Sequence, residues 1–67
     1  MIAKGEIKII VRDASTRDLI FQYYSDIKPE IGEFIGFLDE LYKIVSIIHV
    51  IDEYGNFEKM KVLVTKR

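Results

Sequence analysis

Residues 41–52, LYKIVSIIHVID, hold β-branched side chains at Ile44, Val45, Ile47, Ile48, Val50 and Ile51. Such side chains are stiff at χ1, which disfavours a helix and suits a pleated surface, so the run predicts a long central strand. Alternation along a strand would put Tyr42, Ile44, Ser46, Ile48 and Val50 on one face and Lys43, Val45, Ile47, His49 and Ile51 on the other. Both sets are largely apolar. The first is read as the core face, with Ile48 inside, and the second is either buried as well or an outward face that covers a partner. Twelve residues is long against a usual strand of about 5–6, and a strand of that length in a small sheet must coil or bulge. Ser46 is the expected place.

The flanking pattern is β throughout. After a lead-in over residues 1–5, Ile7, Ile9 and Val11 alternate with Lys8 and Arg12, with Ile10 as an extra apolar position outside. Residues 13–18, DASTRD, are turn formers that bond their local backbone and predict a hairpin loop. Residues 19–24, LIFQYY, give a second strand with Leu19, Phe21 and Tyr23 inward and Ile20, Gln22 and Tyr24 outward. The loop 25–32 contains the single proline, Pro29, and ends at Gly32; Ile27 and Ile31 are expected to tuck it against the barrel end. In residues 33–38 two periods compete. Phe34, Phe37, Leu38 and Leu41 follow helical spacing, but Gly32 and Gly36 would each cost a helix about 1 kcal/mol, and Asp39-Glu40 makes a two-residue connection into the long strand. The strand reading is preferred, with Ile35 and Phe37 inward and Phe34 outside. Residues 53–56 form a tight turn around Gly55 and Asn56, and residues 57–65 return antiparallel to the long strand with Met60, Val62 and Val64 on the core face.

These elements make a single small domain over residues 1–67, all-β, expected as a five-stranded antiparallel SH3-like or OB-like barrel. A chain of 67 residues buries only about 60% of its unfolded surface, and it has no cysteine and one histidine with which to staple itself. Oligomerisation is the compensation left open. A homodimer or higher assembly through Val45, Ile47, Ile51 and Leu63 is therefore expected. The absence of cysteine fits the cytoplasm, and charges at Lys4, Glu6 and Lys8 interrupt any leader or membrane-spanning run. Ten basic and eleven acidic residues give a net charge of −1, so the chain as a whole does not attract nucleic acid; only a local basic patch would.

Pro29, Gly32, Glu33 and Ile35 form a P-x-x-G-E-x-I pattern, followed by Tyr42-x-Ile44 and by Ile47, Ile48 and His49. Over roughly the middle third, this pattern resembles short β-proteins encoded by bacteriophages and other mobile elements. The resemblance implies a phage-side accessory role, blocking a host protein or sequestering a signalling molecule such as a small nucleotide, and it implies no catalytic residue.

Candidate chemistry is sparse. His49 has only Asp52, Glu53 and Glu58 nearby in sequence, too few convergent ligands for a metal site, and no cofactor is implied. No cysteine is present, and Ser15, Thr16, Ser25, Ser46 and Thr65 lack the flanking glycines of a nucleophile elbow or phosphate loop, so the chain reads as non-enzymatic. The best constellation is basic plus aromatic. Lys43, Lys59 and Lys61 would share the outward face with His49 and Phe57, approached by Tyr24, to stack a base and hold phosphates. The competing reading makes these lysines edge guards on a hydrophobic sheet. Two functions follow: a non-enzymatic binding module acting as a homo-oligomer, with a host protein or nucleotide as partner, or a small nucleic-acid-binding barrel.

Overall fold

A computed structural model of the chain describes residues 7–67; the lead-in read over residues 1–5 lies outside them. Five strands form where β-branched and aromatic residues concentrate: β1 (Ile7–Asp13), β2 (Leu19–Ser25), β3 (Phe34–Phe37), β4 (Glu40–Ile51) and β5 (Phe57–Lys66). The strand reading of residues 33–38 therefore stands over its helical rival. All five strands lie in one sheet of order β2-β1-β5-β4-β3, curled into a half-barrel.

The sheet is mixed, which corrects the expectation of an antiparallel barrel. Hairpin β1–β2 and meander β3–β4–β5 are antiparallel within themselves, but β5 docks alongside β1 in parallel, with Ile9 opposite Met60 and Val11 opposite Val62. A parallel neighbour needs a long connection, and here it is the whole β2–β3–β4 path. The central β1–β5 pair carries most of the core. Ile9, Val11, Met60, Val62 and Val64 are fully buried with Ile44 of β4, and Phe21, Tyr23, Ile35, Tyr42 and Ile47 pack against them. The two sheet edges meet only through side chains: the rings of Phe21 (β2) and Phe37 (β3) stack at 4.1 Å.

In β4, Ile44 pairs with Val64 but Ser46 pairs with Leu63, leaving Val45 as a bulge. The expected irregularity is one residue earlier than Ser46, and its effect is large. An extra residue reverses the alternation beyond it. Tyr42 and Ile44 face inward as expected, while beyond Val45 it is Ile47 and His49 that join the inner row with Val62 and Met60, and Ser46, Ile48 and Val50 that face out. Ile48 is 41% exposed, so its assignment to the core is corrected. A second bulge, where Val11 and Arg12 pair with Phe21 and Leu19, skips Ile20. It brings Ile20 against the core and leaves Leu19 exposed, the reverse of the expected order.

The turns follow their local chemistry. Asp13 Oδ1 accepts the N–H groups of Ser15 and Thr16, and Asp52 Oδ1 accepts those of Tyr54 and Asn56. Gly55 supplies the positive φ of the second turn, at 85°. Between β3 and β4 the two turn residues are Leu38 and Asp39, both in the left-handed region at φ 51° and 64°, as a two-residue hairpin loop demands. The connection is thus one residue earlier than Asp39-Glu40, and Glu40 opens β4 opposite Phe37.

The bulge separates two variants that simple alternation would treat alike. Ile44→Ala should lower unfolding free energy by about 2–5 kcal/mol, as expected for a filled core position. Ile48→Asp, on the outer face, should stay folded and shift stability by no more than about 1 kcal/mol. Urea unfolding of both variants checks the difference.

Candidate functional site

The curled sheet offers two surfaces. Its concave side ends in an open cleft of about 430 Å³, walled by Lys28, Pro29, Glu30 and Ile31 of the β2–β3 loop and floored by Ile47, His49 and Met60. The loop is held there by backbone bonds: Gly32 N–H donates to Ile44 O at 2.9 Å, and Ile44 N–H donates to Glu33 O at 2.9 Å. Within it, Glu33 N–H donates to Glu30 O and the Glu33 carboxylate accepts Glu30 N–H at 2.9 Å; Gly32, at φ 97°, completes the turn. Ile27 and Ile31, expected to tuck the loop against the barrel end, are instead 74% and 66% exposed. The loop's backbone is anchored to β4, so its apolar side chains are left facing out.

His49 lies at this mouth, exposed, with its ring edge-on to Phe57 at 6.4 Å. Phe57 stands opposite Ile51, so this pair continues the strand register just beyond Ile47 and His49, which line the cleft. No group of three or more His, Cys, Asp or Glu side chains able to hold a metal occurs among the described residues.

The convex side carries the cations. Pairing places Lys8 opposite Tyr24, Ile10 between Gln22 and Lys61, Lys61 also opposite Ile48, Leu63 between Arg12 and Ser46, Lys59 opposite Val50, and Lys43 between Phe34 and Thr65. Lys8, Arg12, Lys43, Lys59 and Lys61 therefore share one face. Ile10 and Leu63 are buried on this face, at 8% and 7% exposure, because long neighbours flank them and the aliphatic stems of Lys and Arg cover apolar surface. Among the described residues no Asp or Glu takes a convex position in the strand register. The carboxylate that reaches the face is Glu58, at a bulge, 3.8 Å from Lys59 Nζ. The other cation near the rim, Arg67, lies over the Phe34 ring at 5.3 Å. Tyr24, 56% exposed, keeps an open ring.

The single outward face expected from the sequence is thus two faces. Lys43, Lys59, Lys61, Leu63 and Tyr24 are convex, whereas Ile47 and His49 line the concave mouth with Ile51 and Phe57 just beyond them, and Val45 is the bulge itself. Lys8 and Arg12 were not among the residues expected at a site. Their alternation is visible in β1, but nothing local announces that β1 will lie beside β5. Comparison with protein-family models, with curated proteins and with solved structures finds no match to this chain. Among the described residues no helix is long and apolar enough to cross a membrane.

On the concave side, burial raises the Tyr23 phenol above its ordinary value of 10.0, and the Glu33 carboxylate adds to the rise. The folded state then holds this proton longer than the unfolded chain does. The stability tied to the neutral phenol is complete below about pH 10 and is lost as pH climbs through the raised folded value. Tyr23→Phe should flatten the fall in urea midpoint between about pH 9 and about pH 11, and midpoints measured across that range check it.

Proposed function

We propose that the protein is a non-enzymatic binding module that holds an extended polyanionic partner on the convex face of a small OB-like or SH3-like half-barrel. The observation that supports this reading is the segregation of charge. A chain of net charge −1 lines one sheet face with Lys8, Arg12, Lys43, Lys59 and Lys61, and among the described residues Glu58, beside Lys59, is the carboxylate that reaches that face. Opposed potentials steer and orient a charged partner, and a one-sign face does so even when the whole molecule is nearly neutral.

The face does not suit self-association. In a symmetric pair each patch meets its own copy, so Lys61 would face cations across the interface. The concave mouth suits it better, because Ile31, Ile51 and Phe57 are exposed there beside both signs of charge, Lys28 and Glu30. A homodimer joined at the mouths would leave both convex faces outward. In that case the wild type sediments at about twice its 7.9 kDa mass and Ile51→Lys at the monomer mass; a wild-type monomer at high micromolar concentration removes this second reading.

The main reading is tested by retention on immobilised heparin. The wild type should bind and elute with salt, and Lys43→Glu with Lys61→Glu should pass through while keeping its circular dichroism spectrum. Equal retention of both proteins would refute it.

A further inference from the structure

The convex face has more than charge. Its sheet order sets Tyr24 on one edge strand, β2, and Phe34 on the other, β3, with every strand cation on β1, β5 and β4 between them. Tyr24 lies in the row of Lys8, at one end of the strands, and Phe34 in the row of Lys43 and Thr65, at the other. Four strand spacings and six residues of rise separate the rows, so the two rings stand on the order of 28 Å apart along a diagonal that crosses Lys8, Lys61 and Lys43. Arg67 lies over one face of the Phe34 ring, which is otherwise half exposed. Tyr24, 56% exposed, is the ring on the cationic track that, among the described residues, carries no such cation over it.

We propose that the polyanion is single-stranded nucleic acid, laid along this diagonal with its phosphates on Lys8, Lys61 and Lys43 and one base stacked on Tyr24. The inference rests on the polyanion reading above and adds to it the chemical class of the ligand. A flat, exposed ring beside lysines fits an unpaired base, because every base has a π-face and stacking on an aromatic side chain is tolerant of sequence. A duplex keeps its bases stacked on one another and offers Tyr24 nothing. A polyglutamate chain, or heparin, supplies charge without aromatic rings. The diagonal has room for on the order of four nucleotides, the low end of site sizes for small barrels. Apolar Ile48 and Val50, paired with Lys61 and Lys59, border the track where ribose and base edges would lie.

The probe is fluorescently labelled oligothymidylate, titrated by anisotropy against the full chain, with a duplex of equal length and polyglutamate as competitors. Binding should weaken roughly 20-fold between 50 and 200 mM salt if the phosphates on Lys8, Lys61 and Lys43 are neutralised. Tyr24→Leu should weaken it about tenfold with an unchanged melting temperature, and Tyr24→Phe, which keeps the ring, should bind as the wild type does. Neither variant should alter retention on heparin. Equal affinity of Tyr24→Leu, loss of binding in Tyr24→Phe, or equal competition by duplex or polyglutamate would overturn the inference while heparin retention left the polyanion reading standing. Failure to bind both heparin and oligothymidylate would overturn the two together.

Discussion

Val45, a single unpaired residue in the longest strand, decides what both surfaces of this sheet are made of. Without it, strict alternation from Ile44 would carry Ile48 and Val50 into the core and turn Ile47 and His49 out among the lysines. With it, the inner row runs Tyr42, Ile44, Ile47, His49, and the polar Ser46 moves to the convex side opposite Leu63. A bulge also adds twist, which a twelve-residue strand needs if one end is to pair with short β3 while the rest curls with β5. The position is braced from the side: both backbone groups of Ile44 are engaged by the β2–β3 loop, through Gly32 and Glu33. The bulge and the loop that walls the cleft are therefore one construction.

The parallel β1–β5 pair is the second dependency. Parallel strands are buried and read as continuous apolar runs when both faces are covered, yet here Lys8, Arg12, Lys59 and Lys61 interrupt them. Covering comes from one side only, the curl of the sheet over Ile9, Val11, Met60, Val62 and Val64. The other side must stay wet, which is why two central strands in a half-barrel still alternate. Closure at the rim is by side chains, with Phe21 on Phe37 and Phe21 near Tyr23 at 5.8 Å, so β2 and β3 remain edges.

Much of this was legible in the sequence. Strand identity followed from β-branched runs, and the inner faces of β1, β3 and β5 followed from alternation, because none of those strands carries an extra residue between its core positions. The faces of β4 beyond Ile44, and the exchange of Leu19 for Ile20 in β2, were not legible: a bulge is a two-strand property, set by how Val64 and Leu63 or Val11 and Arg12 are met across the ladder, and a single strand does not display it. The same holds for the site. Lys59 and Lys61 were found on one face because β5 alone shows it, whereas His49 was misplaced by the bulge. Lys8 and Arg12 were missed because their membership depends on β1 lying beside β5.

The pattern of neighbours on the convex face bears on whether its charge is only for solubility. Each lysine or arginine there lies across from an uncharged residue: Lys8 from Tyr24, Lys61 from Ile10 and Ile48, Arg12 from Leu19 and Leu63, Lys59 from Val50, Lys43 from Phe34 and Thr65. A carboxylate at any of those positions would keep the surface just as wet and would add a cross-strand ion pair worth roughly 0.2–1 kcal/mol. A 67-residue domain of marginal stability leaves that cross-strand gain unused at all of these positions, Lys59 alone having a carboxylate near it, that of its sequence neighbour Glu58, while the Lys66–Glu40 pair at 3.3 Å on another part of the surface shows that the chain does form such bridges. Solubility does not require a single sign; attraction of an anion does.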